Sequence, residues 1–309
     1  MSPGILRTGF IAGTDGRRLR VGTWDNAPGV AARGFCAIFD GQTEFVEKYE
    51  EVAGELAGRG YAGAILDWRG QGGSARLVAD PLKAHVADFS EYDSDFSAFM
   101  TQVVAPASAA PPIALAHSMG AHILLRALHR DPRAFAAAVM TAPMLRTATR
   151  GYPRWLVRAI TSAHAHAGLG KAWVWGMQER DPLRIPFGDN LVTSDRERSA
   201  RNRALVSETP EIRLAGPTWS WLEAAYRSMA KMQSPGFAEA ITTPCLLFGA
   251  GRDRIVETGA IRDFARRLPN GRYVGIAEAE HEILMETDSI RSRFWRAFDE
   301  FVGVYKPRP

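Results

Sequence analysis

Cysteine is scarce in this sequence: its 309 residues include two, Cys36 and Cys245. Both lie in short apolar stretches that we interpret as buried strands, where cysteine packs as a small hydrophobic residue. So few cysteines in such surroundings argue against a disulfide framework, a metal site and a thiol nucleophile. We therefore expect both to be core residues.

Long apolar runs are also missing. No stretch of about eighteen consecutive apolar residues could form a transmembrane helix, and Met1–Trp24 lacks the hydrophobic core of a signal peptide. The net charge is a mild +4, and no basic cluster interleaved with aromatic residues resembles a nucleic-acid surface. We accordingly expect a cytoplasmic protein that does not bind nucleic acid.

Short apolar strands alternate with amphipathic helices through most of the chain. With 46% hydrophobic and 23% charged residues, the sequence is typical of one large globular domain with an insertion. Strands separated by helices of about ten to fifteen residues predict an α/β fold whose sheet is mostly parallel, preceded by an antiparallel hairpin within Phe10–Trp24. The later strands are predicted at Phe35–Phe39, Tyr61–Leu66, Ile113–Ala116, Phe135–Thr141, Pro244–Ala250 and Arg272–Ile276, and the flanking helices at Glu44–Arg59, Phe89–Val103 and Met119–His129.

A serine stands at the sharpest predicted turn. Ser118 lies between the strand Ile113–Ala116 and the helix Met119–His129. Such a turn forces the serine backbone into a strained conformation and lifts its hydroxyl clear of the sheet. The usual pattern is G-x-S-x-G, and here Ala116, the smallest replacement, takes the place of the first glycine. We favour a catalytic serine, and the alternative is an ordinary serine N-cap.

Two later loops supply the partners that a serine nucleophile needs. Asp253 follows the predicted strand Pro244–Ala250, and His281 follows the predicted strand Arg272–Ile276. Because the carboxyl ends of parallel strands share one edge of a sheet, Ser118, Asp253 and His281 should converge there. A serine nucleophile, an orienting acid and a base in this chain order predict a catalytic triad.

Acyl transfer also needs two N–H donors for the oxyanion of the tetrahedral intermediate. One should be the backbone amide of Met119, directly after the nucleophile, and the other should come from the loop after Phe39. In that loop Gly41 allows the backbone to turn, which makes Gln42 the natural second donor. We therefore predict an oxyanion hole formed by the amides of Gln42 and Met119.

The alternation of strands and helices stops between residues 144 and 235. This segment shows no strand pattern, carries 14 Lys and Arg against 8 Asp and Glu, and holds five of the eight tryptophans. We predict a helical cap inserted above the site, with the core formed by 1–143 and 236–309. Its aromatic residues either line an apolar substrate pocket or form the cap's own small core. The substrate-binding candidates are Trp155, Trp219 and Trp221.

Several segments together carry a family resemblance. They are Asp40–Tyr49 (DGQTEFVEKY), Leu66–Ser74 (LDWRGQGGS), His117–Gly120 (HSMG), Gly249–Asp253 (GAGRD), His281–Glu286 (HEILME) and, within the cap, Leu191–Asp195 (LVTSD) and Ala215–Trp219 (AGPTW). The chain resembles the lysophospholipase and monoacylglycerol lipase-like branch of the α/β-hydrolases, also described as serine aminopeptidase-like, from Thr8 to Val302. In two places it departs from that pattern: Asp40 replaces the usual histidine before Gly41, and Ala116 replaces the first glycine of the serine turn.

The resemblance implies an α/β-hydrolase fold with an inserted cap, and the predicted triad and oxyanion hole in their family roles. It implies a serine hydrolase that cleaves carboxylic esters through an acyl-enzyme, with no metal or organic cofactor. We expect a lysophospholipid or monoacylglycerol substrate and transient contact with the inner face of a membrane. The alternatives are a short-chain carboxylesterase, a peptidase of the same group that uses cap acids such as Glu179 or Asp181, and a non-catalytic binding module. An epoxide or haloalkane hydrolase is disfavoured because these enzymes carry a carboxylate where this chain has Ser118.

Overall fold

One large sheet positions the rest of the chain in the computed structural model, which describes residues 5–149 and 151–304. The strands are β1 (Arg7–Ala12), β2 (Arg18–Trp24), β3 (Gly34–Phe39), β4 (Tyr61–Leu66), β5 (Lys83–Ala84), β6 (Ile113–His117), β7 (Ala137–Thr141), β8 (Gly216–Pro217), β9 (Cys245–Ala250) and β10 (Gly271–Ile276). Eight of them form the main sheet in the order β1-β2-β4-β3-β6-β7-β9-β10, and β5 pairs with β8 separately. Each strand predicted after the hairpin is present, with limits shifted by no more than two residues.

The pairing of the strands confirms the predicted fold class. β1 and β2 form an antiparallel hairpin, β2 also pairs antiparallel with β4, and every other pair in the main sheet is parallel. The central strands β3, β6, β7 and β9 are buried almost throughout, as expected for strands covered on both faces. The outermost strands β1 and β10 are each paired on one side only and are partly exposed.

Helices cover both faces of this sheet and also form much of the segment between β7 and β9. The helices are α1 (Glu50–Gly58), α2 (Ser90–Phe99), α3 (Ala105–Ala107), α4 (Ser118–Arg130), α5 (Arg154–His164), α6 (Arg196–Glu208), α7 (Trp219–Met232), α8 (Thr258–Arg267) and α9 (Asp288–Val304). The helix predicted from Glu44 begins later, with a 3₁₀ turn at Val46–Tyr49 before α1. The reason is local: the Glu44 carboxylate accepts the Gly41 amide and holds these residues in a loop. α2 continues into a π-helical turn, Met100–Val104, within the predicted Phe89–Val103 helix.

Two hydrophobic clusters form the core, one on each side of the sheet. One cluster packs α2, α4, α7 and α8 onto the sheet, and the other packs α1 and α9. Burying each large apolar side chain contributes about 1.5–3 kcal/mol, so these clusters dominate the stability of the fold. Cys36 and Cys245 are buried in opposite clusters and are not disulfide-bonded, which confirms their predicted role as core residues.

The segment 144–235 enters between β7 and β9 and contains α5, α6 and α7. The expectation that it holds no strand was wrong, because β8 pairs in parallel with β5. Its two residues are Gly and Pro, which carry no strand pattern, and the pairing is held by Ala215 N–H to Leu82 O (2.9 Å) and Thr218 N–H to Ala84 O (2.9 Å). α7 packs into the cluster that also contains α2, α4 and α8, which is the main core. The C-terminal end of this segment is therefore anchored on the sheet.

Parts of the predicted core and cap lie outside the described residues, namely 1–4, 305–309 and Arg150. Among residues 5–149 and 151–304, no helix combines the length and the apolar character needed to cross a bilayer.

Candidate active site

Ser118 occupies a strained turn between β6 and α4. Its φ is +47°, in the left-handed region that only glycine enters without cost, and such a conformation costs about 1–3 kcal/mol. The start of α4 approaches the end of β3 so closely that a Cβ on Gly120 would lie 2.3 Å from the carbonyl oxygens of both Phe39 and Asp40. Gly120 is therefore required, whereas Ala116 fits fully buried in the place of the first glycine.

A continuous chain of hydrogen bonds joins the three residues of the predicted triad. Nε2 of His281 lies 2.9 Å from Oγ of Ser118, and Nδ1 of His281 lies 2.7 Å from Oδ2 of Asp253. Because an ionised carboxylate only accepts, Nδ1 carries the proton and Nε2 is free to accept from the serine hydroxyl. Asp253 follows β9 and His281 follows β10, so the parallel strands deliver both side chains to the edge where Ser118 stands.

The pKa values of the acid and the base respond to each other. Burial alone would raise the pKa of Asp253, but the charge of His281 and its hydrogen bond outweigh burial and lower it. The amides of Ile255 and Val256 also donate to Oδ1 of Asp253, at 2.8 and 2.9 Å. Burial alone would lower the pKa of His281, but Asp253 outweighs it and raises that pKa above its usual value. Asp253 therefore stabilises the imidazolium that forms when His281 takes up a proton.

The loop after β3 lies directly against the serine turn. A Cβ on Gly41 would lie 2.8 Å from Cδ2 of His117, which immediately precedes Ser118. Met119 lies in the first turn of α4, where backbone amides have no helical acceptor. In the facing loop, Thr43 adopts a φ of +65°, so the turn that contains Gln42 is itself strained. The two predicted oxyanion donors are thus carried by adjoining backbone segments.

Buried charges surround this loop, and the sequence reasoning missed most of them. Nζ of Lys48 lies 2.7 Å from Oε1 of Glu44 and 2.6 Å from Oε1 of Glu282, next to His281. The hydroxyl of Tyr49 donates to the other oxygen of Glu44 (2.7 Å). The spacing of Glu44 and Lys48 is a helical i,i+4 pair and could have suggested their contact. Nothing in the sequence indicated Glu282 as the third member.

The three candidate tryptophans do not form one cluster. Trp155 is 71% exposed on α5. Trp219 is buried at the start of α7 against the rings of His164 and Trp175. Trp221 lies in the main core, and its Nε1–H donates to the Tyr92 hydroxyl (2.9 Å). A substrate contact for any of the three stays a prediction.

Two polar residues of the loop after β4 are held by different partners. Oδ2 of Asp67 accepts from Nε of Arg20 (2.6 Å) and from the Gly73 amide (2.8 Å), so Asp67 fixes its own loop. Arg69 pairs with Asp95 (2.6 Å). All four charges are buried, so each depends on its partner for compensation. Among the described residues no group of three or more His, Cys, Asp or Glu side chains could hold a metal ion.

Most of the chain matches a known protein family. Residues 30–288 match the family described as serine aminopeptidase, S33. Lysophospholipase L2 of Escherichia coli strain K12 is 35% identical over 272 residues, covering 85% of this chain and 78% of that protein.

Two solved structures share the fold. A soluble variant of monoglyceride lipase from Saccharomyces cerevisiae has a TM-score of 0.76 at 16% identity, covering 99% of this chain and 98% of its own. A carboxyl esterase from Bacillus coagulans has a TM-score of 0.74 at 15% identity, covering 97% and 98%. The chain belongs to the serine aminopeptidase S33 family, within the lysophospholipase and monoacylglycerol lipase-like branch of the α/β-hydrolases, and it is an ester hydrolase.

Proposed function

We propose that this hydrolase cleaves carboxylic esters through a covalent acyl-enzyme formed on Ser118. The observation that carries the proposal is the unbroken contact from Oγ of Ser118 through His281 to Asp253, at 2.9 and 2.7 Å. This arrangement provides a nucleophile, a base and an orienting acid in hydrogen-bonding sequence.

The reaction proceeds in two halves. Oγ of Ser118 attacks the ester carbonyl while Nε2 of His281 takes the hydroxyl proton, and Asp253 stabilises the resulting imidazolium. The carbonyl oxygen becomes an oxyanion that accepts from the amides of Gln42 and Met119. Collapse of this intermediate expels the alcohol, which receives its proton from His281. Water then attacks the acyl-enzyme with the same groups in the same roles and releases the acid.

The relatives support a substrate class for this proposal. We propose a lysophospholipid or a monoacylglycerol, by similarity to lysophospholipase L2 and to monoglyceride lipase. A short-chain carboxylesterase is the second candidate, because a carboxyl esterase shares the fold with almost the same TM-score. A panel of lysophosphatidylcholine, monoolein and short p-nitrophenyl esters separates them, since a turnover maximum at short acyl chains would favour the second.

Peptidase activity finds less support in the cap. A peptidase selective for an N-terminal amine needs an unpaired acid near the scissile bond. Asp181, one of the two acids considered for this role, is 2% exposed and accepts hydrogen bonds from Arg213. The charge of Asp181 is therefore already neutralised by Arg213. Of these two acids, only Glu179 has an exposed side chain.

We also propose that the cap contacts a membrane surface from the cytoplasmic side. Large exposed apolar side chains concentrate here among the described residues: Tyr152 (65%), Trp155 (71%), Leu169 (48%) and Trp175 (66%). Arg158 on α5 is exposed beside them and would favour anionic lipid, whereas the neighbouring Arg154 is already paired with Glu257. Flotation with anionic vesicles should be weakened by Trp155→Ser and left unchanged by Phe10→Ser, which alters an exposed ring on β1. Equal binding by both variants would contradict this contact.

The catalytic proposal is tested by labelling with a fluorophosphonate. The native chain should be labelled and should turn over esters, and Ser118→Ala should do neither. Equal labelling of the two, or labelling of neither, would contradict the proposal, and labelling of neither would favour a non-catalytic binding module.

A further inference from the structure

The peptide that joins Gly41 to Gln42 is held from behind by a buried side chain. Nε2 of Gln71 donates to the carbonyl oxygen of Gly41 at 2.7 Å. A peptide bond is planar, and this one is trans, so its C=O and N–H point in opposite directions. The carbonyl belongs to Gly41 and the N–H to Gln42. A bond that fixes the direction of the Gly41 carbonyl therefore fixes the direction of the Gln42 N–H as well.

The peptide on the other side of Gly41 is held too. The Gly41 amide donates to Oε2 of Glu44 at 2.5 Å. Tyr49 donates to the same oxygen, and Lys48 binds the other oxygen of that carboxylate. Rotation of the Gly41–Gln42 peptide would have to break the Gln71 bond while Gly41 itself stays anchored. Gln71 is thus the contact that selects one orientation of this peptide.

Gln71 is itself built into a rigid loop, the LDWRGQGGS segment whose role the catalytic mechanism leaves unexplained. The side chain is 2% exposed. Its backbone amide donates to Trp68 O (3.2 Å), and its carbonyl accepts from Ser74 N–H (3.1 Å). The next residue, Gly72, has a φ of +51°, and a Cβ there would lie 2.1 Å from Cγ of Asp67. The loop therefore permits little displacement of Gln71.

The orientation of the Gln71 amide follows from its surroundings. Three acceptors face its nitrogen: Gly41 O at 2.7 Å, Asp40 Oδ1 at 3.4 Å and Glu44 O at 3.5 Å. Turning the amide over would bring its oxygen against three acceptors, so the nitrogen must point at the loop. Of the three bonds, the one to Gly41 is the shortest and the one that bears on the oxyanion donor.

We infer that Gln71 is a positioning residue for catalysis: it orients the Gln42 N–H toward the oxyanion. The inference rests on the proposed function, because it assumes that Gln42 is an oxyanion donor. Gln71 touches no reacting atom. Its effect should appear only when negative charge develops on the carbonyl oxygen, hence in kcat and not in KM.

The test is Gln71→Met, which keeps the length of the side chain and removes its donor. Loss of a whole oxyanion donor costs about 10²–10³-fold in kcat, so a misoriented donor should cost about tenfold or more with KM within about twofold. The discriminating measurement is the inhibition constant of a trifluoromethyl ketone. Oγ of Ser118 adds to its carbonyl carbon, the hydroxyl proton passes to His281, and the carbonyl electron pair becomes an oxyanion. Its inhibition constant should rise in parallel with the fall in kcat.

Two further variants separate this role from general damage. Gln233→Met removes a bond of the same kind, from Nε2 to Leu145 O (3.2 Å), at the end of α7. It should leave kcat and ketone affinity unchanged. Gln71→Asn keeps an amide but withdraws it from Gly41, and it should act in the same direction as Gln71→Met. Rates are expressed per active site titrated with fluorophosphonate, so partial unfolding does not enter them.

The outcomes are distinct. Native kcat in both Gln71 variants, or reduced kcat with unchanged ketone affinity, would overturn the positioning role. If Ser118→Ala retained turnover, the proposed mechanism itself would fail. If Ser118→Ala is inactive and the Gln71 variants are native in kcat, only the role of Gln71 is wrong.

Discussion

Nζ of Lys48 lies 2.6 Å from Oε1 of Glu282, and this contact ties the loop after β3 to the loop that carries His281. On its other side Lys48 binds Glu44, which holds the Gly41 amide. All three charges are buried, so each depends on its partner for stability. The predicted oxyanion loop and the predicted base are therefore connected by one buried ion network.

Lys48→Met should destabilise the protein strongly. Removing one partner of a buried ion pair costs about 3–5 kcal/mol, because the remaining carboxylates stay buried without a counter-charge. Burial alone would raise the pKa of Glu44, but Lys48 and His117 lower it to about 2, below the ordinary value of 4.5.

The pH dependence of that loss has a definite sign. A depressed carboxylate pKa stabilises the folded state above about pH 4.5, and this stabilisation disappears as the pH falls toward about 2. The deficit of Lys48→Met in urea unfolding should accordingly be largest near neutral pH and should shrink in acid. The exposed Lys231→Met serves as the control and should unfold as the native chain does at every pH. A deficit that grew in acid would contradict the network.

Asp253→Asn should lower kcat by about 10³–10⁴-fold. Oδ1 of Asp253 accepts the amides of Ile255 and Val256, so the oxygen of the new amide will take that position and its NH₂ will face His281. An N–H donor there favours the imidazole tautomer with its proton on Nε2, which cannot accept from Ser118.

The same variant should shift the acid limb of the pH profile. The base must be neutral, so kcat/KM falls as the pH drops through the pKa of His281, which lies above the usual 6.5 in the native chain. Without Asp253 burial dominates, and the limb should move to lower pH. A limb that stayed in place, measured by residual kcat/KM across pH, would show that Asp253 does not set this pKa.

Gly120→Ala should damage stability and activity together. The new Cβ would meet two backbone carbonyl oxygens at 2.3 Å, and backbone atoms cannot move aside as a flexible side chain would. Overpacking of this kind costs about 1–3 kcal/mol, and here it would push the loop of Gln42 away from Ser118. Gly54→Ala in α1 is the matched control: its Cβ meets nothing within 4 Å. The gain in helix propensity should leave that variant equally or more stable.

Glu286→Gln should loosen the loop of His281 from the segment 144–235. Glu286 is fully buried; Oε2 accepts the amide (3.1 Å) and hydroxyl (2.5 Å) of Ser194, and Oε1 accepts the amide of Glu280 (2.7 Å). An amide has one acceptor oxygen, so one set of donors will lose its partner at a cost of about 1–3 kcal/mol. The free energy of unfolding and the turnover rate should both fall as a result. Glu278→Gln, an exposed change in the same loop, should behave like the native chain, and equal effects of the two variants would argue against a specific link.

The sequence predicted the sheet and the meeting of Ser118, Asp253 and His281 because both depend on local patterns. Apolar runs mark the buried strands, and parallel strands necessarily bring their carboxyl ends to one edge. The start of α1 was not predicted, because the Glu44 side chain competes for the Gly41 amide only in the folded loop. The link from Lys48 to Glu282 was not predicted either, since it joins elements far apart in the chain.

The last helix of the segment 144–235 carries a sequence pattern that distinguishes two of its tryptophans. Trp221, Ala225 and Met229 recur at a spacing of four residues on α7, which is typical of a helix face turned toward a core. This spacing could have separated Trp221, which is buried in the main core, from the exposed Trp155. The composition of the segment alone does not distinguish the buried tryptophan from the exposed one.

The two free cysteines make separation of the central strands detectable by chemical modification. Cys36 lies on β3 and Cys245 on β9, and burial raises the pKa of both thiols, that of Cys245 to about 12. Alkylating reagents attack the thiolate, so neither residue should react while the centre of the sheet is intact. The rate of alkylation would then report how often those central strands separate, without any engineered label.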